Sequence, residues 1–125
     1  MRHRLKGRKL KRPTPHRLLL LRTLANDLIK YEKIETTTAK AKELKRYIER
    51  VINIAKNYDP QNTNSISSMN SARRVFSLLG DKSTTKKILT ELAQRYKGVN
   101  GGFVRVIKTG NRRGDNAETS VISFV

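Results

Sequence analysis

The sequence predicts an α+β domain: about four helices packed on a small sheet with a C-terminal hairpin, behind an extended basic N-terminal arm. Three observations carry that reading. Apolar residues recur at helical spacing in four stretches between Thr14 and Gly98. The period then falls to two in "GGFVRVIKTG" and "TSVISFV", β-rich stretches separated by the polar "NRRGDNAE". The opening "MRHRLKGRKLKRP" shows no apolar periodicity and is expected to be disordered on its own. Helices before a hairpin suit a layer of helices on one face of a sheet. Residues 14–125 therefore form one globular domain, and residues 1–13 its arm.

Thr14-Pro15 starts the first helix, with Thr at the cap and Pro at the first helical position. Leu18, Leu21, Ala25 and Leu28 set its apolar stripe, Leu20, Leu24 and Ile29 widen it, and it ends near Tyr31. "EKIETTT" (Glu32–Thr38) is short and ends in β-branched residues, which suits a brief strand or an extended linker. A Thr at position 37 or 38 caps the second helix. Its apolar face is Ala41, Leu44, Ile48, Val51, Ile52 and Ala55, with Lys and Arg on the other side. Asn57–Ser65 is a polar loop. The third helix turns Met69, Ala72, Val75, Phe76 and Leu79 inward, and Gly80 ends it in the left-handed conformation. The fourth buries Ile88, Leu89, Leu92, Ala93 and Tyr96 and closes at Gly98.

Charge narrows the function. Lys and Arg number 28 against 10 Asp and Glu, a net +18 over 125 residues. Such an excess opposes compaction, because like charges repel, and a polyanion relieves it. The candidate polyanions are nucleic acid, an anionic membrane surface and an acidic protein. Cys is absent, which excludes disulfides and thiolate zinc sites and fits a reducing compartment. No stretch approaches the roughly eighteen apolar residues of a membrane span. Leu18–Leu21 is too short for the apolar core of a secretory signal. The arm is expected to belong to the working protein.

Catalytic chemistry finds no constellation. HExxH, GxSxG and GxxxxGK[ST] patterns do not occur, and "KGRKLKR" lacks the second glycine and preceding strand of a phosphate loop. Glu32 and Glu35 read as solvated charges balancing nearby lysines, and Asp115 as a turn residue. No enzyme, metal or cofactor is expected.

The cations read differently. Arg2, Arg4, Lys6 and Arg8 alternate, so an extended arm would track successive phosphates, and Arg forks match phosphate oxygens bidentately. A second cluster lies in the hairpin, with Arg105 and Lys108 on the strand and Arg112 and Arg113 in the loop. Gly110 and Gly114 there let the backbone approach a phosphate closely. Arg73-Arg74, Lys42, and Arg95 beside Tyr96 are further candidates. Recognition of structured RNA by such residues works through backbone and shape, without base readout.

The residues then say more than their composition. "MRHR", "HR", "IETTTAKAKELK", "NGGFVRVIKTGNRRGD" and the terminal "ISFV", in that order from Met1 to Val125, resemble the bacterial large-subunit ribosomal protein L17 family. The resemblance implies a structural ribosomal protein of the cytoplasm. It implies helices on a small sheet and a basic arm inserted into ribosomal RNA near the exit of the nascent-peptide tunnel. Neighbouring large-subunit proteins are the further partners, with no membrane and no small-molecule substrate. Arg2, His3, Arg4, Lys6, Arg8, Lys9, Arg12, His16 and Arg17 lie in the matched arm, and Thr36–Lys42 and Arg105–Arg113 are the other matched basic regions. Lys11, Arg22, Lys40 and Arg46 complete the set assigned to RNA. Asn57–Asn70 looks less like the family, and no role is carried there. The alternative is a DNA-binding or nucleoid-associated basic protein. Against it, no helix pair joined by a short Gly turn presents base readers. A peripheral membrane protein anchored by Arg2–Leu21 is a third reading.

Overall fold

The computed structural model describes residues 7–125, so the assignments to Arg2, His3, Arg4 and Lys6 lie outside the described residues. In chain order the elements are α1 (Thr14–Tyr31), β1 (Lys33–Thr37), α2 (Thr38–Ala55) and α3 (Ile66–Leu79). A helical run follows, made of α4 (Lys82–Lys87), a π turn (Ile88–Leu92) and α5 (Ala93–Arg95), and then β2 (Val104–Asn111) and β3 (Glu118–Phe124). The three strands form one antiparallel sheet in the order β1-β3-β2. "EKIETTT" is thus a strand, and it pairs with the last strand of the chain.

α2 is the centre of the core. Ala41, Leu44, Ile48, Val51, Ile52 and Ala55, its expected apolar face, are all fully buried. They pack on the sheet face carrying Val104, Ile122 and the half-buried Ile34, Val106 and Phe124, with α1 and α3 alongside. Ile88, Leu89, Leu92, Ala93 and Tyr96 are buried as the fourth stretch predicts. The Ala93 amide reaches back five residues to Ile88 O, the wide turn that interrupts an otherwise α-helical run.

Several local expectations are corrected. Pro13, not Thr14, holds the cap position of α1, and no side chain caps that end. Leu18 is half exposed, because α1 begins to meet the core only at Leu21. α3 is rotated from the expected phase: Ser68, Ser71, Val75 and Leu79 face inward, while Met69 and Phe76 face out. The polar loop explains this, since Ser68 Oγ accepts from Asp59 N at 2.9 Å and so draws a serine inside. Gly80 does end α3, at φ 71°. A side chain there is doubly opposed, because its Cβ would meet the Arg22 guanidinium at 3.2 Å. The last helix stops at Arg95, with Tyr96 at its cap, ahead of Gly98.

Thr37 occupies the cap position of α2 without a capping hydrogen bond, because it still pairs in the sheet opposite Thr119. Thr38 turns its hydroxyl onto β3 instead, 2.7 Å from Ser120 Oγ in a buried pair. Breaking one side of that pair should destabilise the domain by about 1–3 kcal/mol, since the other hydroxyl is left buried without a partner. In a denaturant double-mutant cycle, Thr38→Val is expected to be costly and Thr38→Val with Ser120→Ala less costly than the sum.

Candidate nucleic-acid interface

The register sends the cations to distinct places. Strand residues alternate faces, so Val104, Val106 and Lys108 share the helix side and Arg105 and Ile107 the open side. Arg105 and Lys108, read together from the sequence, are therefore on opposite faces. Arg105 lies across from Ser123, which also pairs with Lys33, giving a row Arg105–Ser123–Lys33 on the uncovered face. Lys33 was not legible as a candidate, because its neighbourhood depends on β1 pairing with β3.

The hairpin tip and the start of α2 meet at one end of the domain. One hollow there is lined by Arg8, Lys42 and Lys108 with Thr37, Thr38 and Glu118. An adjoining one is lined by Lys40 and Arg112 with Glu35, Thr36, Thr109 and Thr119. A β-bulge at Thr109, between Lys108 and Gly110, twists the strand into this corner, and Gly110 takes φ 135° to allow it. Arg8 from the arm, Lys40 and Lys42 from α2, and Lys108 and Arg112 from the hairpin are thus brought to one end, with Arg113 next in the hairpin turn.

The described part of the arm is not extended. Leu10 and Lys11 have φ of 53° and 54°, and Arg12 N donates to Lys9 O at 3.1 Å, a tight turn of the mirror-image type. Lys9, Lys11 and Arg12 therefore project from a turn rather than alternate along a strand, and Arg12 Nη1 donates to Leu10 O. His16 is exposed on the first turn of α1.

Along α2, Lys42, Arg46, Arg50 and Asn53 are exposed at helical spacing, and Asn57 is exposed just past its end. Arg46 and Arg50 share an open cleft with Arg74 of α3, whereas Arg73, one residue earlier, faces a different hollow. Arg50 was missed in the sequence although its spacing from Arg46 was visible. Glu49 also lines this cleft, and its Oε1 has no hydrogen-bond partner among the described residues.

Some cations are already engaged. Arg22 Nη2 donates to Ser77 O at 2.9 Å, pinning the end of α3. Arg17 Nη2 reaches Thr14 Oγ1 at 3.5 Å. Arg95 pairs with Glu32 at 3.0 Å at the end of the sheet opposite the hairpin tip. Glu32 also approaches Lys87, the charge-balancing role its sequence suggested. Lys108 pairs with Glu118 at 3.0 Å and Arg46 with Glu43 at 3.6 Å. Among the described residues, Arg105 and Arg113 have no carboxylate partner.

Arg112 is held most firmly: its Nε and Nη2 donate to the two Asp115 oxygens at 3.0 and 2.6 Å. Asp115 also accepts from Ala117 N, so it is the turn residue the sequence suggested. The Arg112 hydrogen bonds, more than any other cause, hold the Asp115 carboxyl down at about 2. A depressed carboxyl favours the folded tip above the ordinary carboxylate range, and that contribution disappears as pH falls through about 2. NMR titration should place Asp115 near that value, and Arg112→Ala should return it toward the ordinary range.

Helices on one sheet face, with cations from the arm, α2 and the hairpin gathered at one end, define a basic α+β domain. The family model described as Ribosomal protein L17 matches residues 20–125. The chain is 46% identical over 125 residues to "Large ribosomal subunit protein bL17" of Aliarcobacter butzleri, covering 100% of both chains. Proteins of the same name from Fervidobacterium nodosum (47%, covering 100% of this chain and 99% of that one) and Campylobacter concisus (48%, covering 100% and 98%) are similar. The chain belongs to the ribosomal protein L17 family, a structural component of the ribosome and not an enzyme.

Proposed function

We propose that the chain is a constituent of the large ribosomal subunit that holds ribosomal RNA by backbone phosphates and shape, near the exit of the nascent-peptide tunnel. The subunit follows from its relatives' names, and the tunnel exit from the resemblance drawn in the sequence. One observation carries the RNA reading: Arg8, Lys40, Lys42, Lys108 and Arg112, from three chain segments, converge at one end of a chain of net charge +18. Arg46, Arg50 and Arg74 extend that surface along α2, which is about 27 Å long at 1.5 Å per residue. An RNA strand following the helix would meet several guanidiniums in succession.

Binding to large-subunit RNA, followed against salt, tests the proposal. With about eight phosphate contacts the log–log slope should lie near −6, costing a thousandfold or more between roughly 50 and 200 mM salt. Duplex DNA at matched salt should bind more weakly. Equal affinity for both, or a slope near zero, would overturn the reading.

A further inference from the structure

We propose that the hollow between α3 and the α4–π-turn run docks an acidic segment of a neighbouring protein, which seats a bulky apolar side chain against Phe76 and Leu89. The inference rests on the ribosomal reading above, which supplies the neighbours. Tyr58, Phe76 and Leu89 furnish the apolar walls, and Arg73, Lys82 and Lys86 stand on the rim. No carboxylate belongs to the lining.

Phe76 is 43% exposed, and Met69 and Ile66 on the same face of α3 are 39% and 79% exposed. Positions 66, 69, 73 and 76 follow helical spacing, so three large apolar side chains and one arginine form a single outward stripe. Exposed large apolar side chains on one helix face, beside an apolar-walled hollow, mark an interaction surface rather than a solvated face.

The rim selects the occupant. Three cations with no lining carboxylate favour an acidic partner and disfavour a second copy, which carries the same +18. A nucleobase fits less well, because both lining hydroxyls have committed their protons and can only accept, which leaves donation to its polar edge to the rim cations alone. Thr85 Oγ1 donates to Asp81 O at 2.6 Å and Thr90 Oγ1 to Lys86 O at 2.7 Å. An aliphatic or aromatic side chain needs no polar partner, and carboxylates beside it would meet the rim.

Photocrosslinking tests this. The full chain carrying p-benzoylphenylalanine in place of Phe76 is assembled into large subunits, purified by sedimentation, irradiated and mapped by mass spectrometry. A crosslink to a protein peptide in which an apolar residue is flanked by Asp or Glu is the expected result. A crosslink to RNA, to a second copy or to a peptide without acidic residues overturns the proposal, as does no crosslink in subunits that contain the chain. Lys82→Glu with Lys86→Glu should cut the crosslink yield about fivefold while sedimentation with subunits persists, and an unchanged yield overturns the charge argument. Failure of the chain to sediment with subunits at all instead overturns the ribosomal reading, and this inference with it.

Discussion

Removing residues 2–12 should leave a folded domain that no longer competes with the full chain for incorporation into large subunits. The deletion takes away seven of the 28 Lys and Arg and no carboxylate. At the 0.7–0.9 of log–log slope that each phosphate contact contributes, RNA binding should become less salt-dependent by about five to six. Affinity near 0.1 M salt should fall on the order of a thousandfold or more. The core begins at Leu21, so the melting temperature should hold. The turn at Leu10-Lys11 sharpens the expectation. Its two residues sit at positive φ without a glycine, a conformation that a binding partner can stabilise. Equal incorporation of the truncated and full chains would remove the arm from the interface.

Phe103→Ala carries the largest expected effect on stability. Phe103 heads the largest fully buried side chains, and its ring lies 5.3 Å from that of Tyr96. Its carbonyl accepts from Val125 N at 2.9 Å, while Tyr96 Oη donates to Val125 O, so the ring sits where the last helix and the C-terminus are tied together. Truncation should cost about 3–5 kcal/mol. Against the roughly 5–15 kcal/mol of a typical domain, that is a melting temperature lower by something on the order of 10 °C or more. Thermal unfolding followed by circular dichroism reads the change. A shift of only a degree or two would mean that the pocket collapses around the missing ring.

Helix existence and type were legible because the periodicity was strong: every residue expected on the apolar face of α2 is buried. Phase failed where polar residues had a private reason to go inside. Ser68 serves the Asp59 amide, so α3 turned and left Met69 and Phe76 outside, a contact no one-dimensional pattern encodes. The strand within Glu32–Thr38 stayed ambiguous because its partner is more than eighty residues away. The candidate interface was legible as a list and not as an arrangement. Nothing local separates Arg105 from Lys108, or Arg73 from Arg74, until the pleat and the helix turn send them apart. Arg22 is a candidate on charge alone, and its Nη2 bond to the Ser77 carbonyl, fifty-five residues away, is a contact that no local pattern encodes.

The strand order has a consequence for biosynthesis. β3, the central strand, comes after β1 and β2 in the chain, and neither of them has a hydrogen-bonded partner in the sheet without it. While the chain is being synthesised, its helices emerge facing a layer that does not yet exist. Closure of the sheet must wait for β3, so the helices gain their second layer only once the strand farthest along the chain has inserted between the other two.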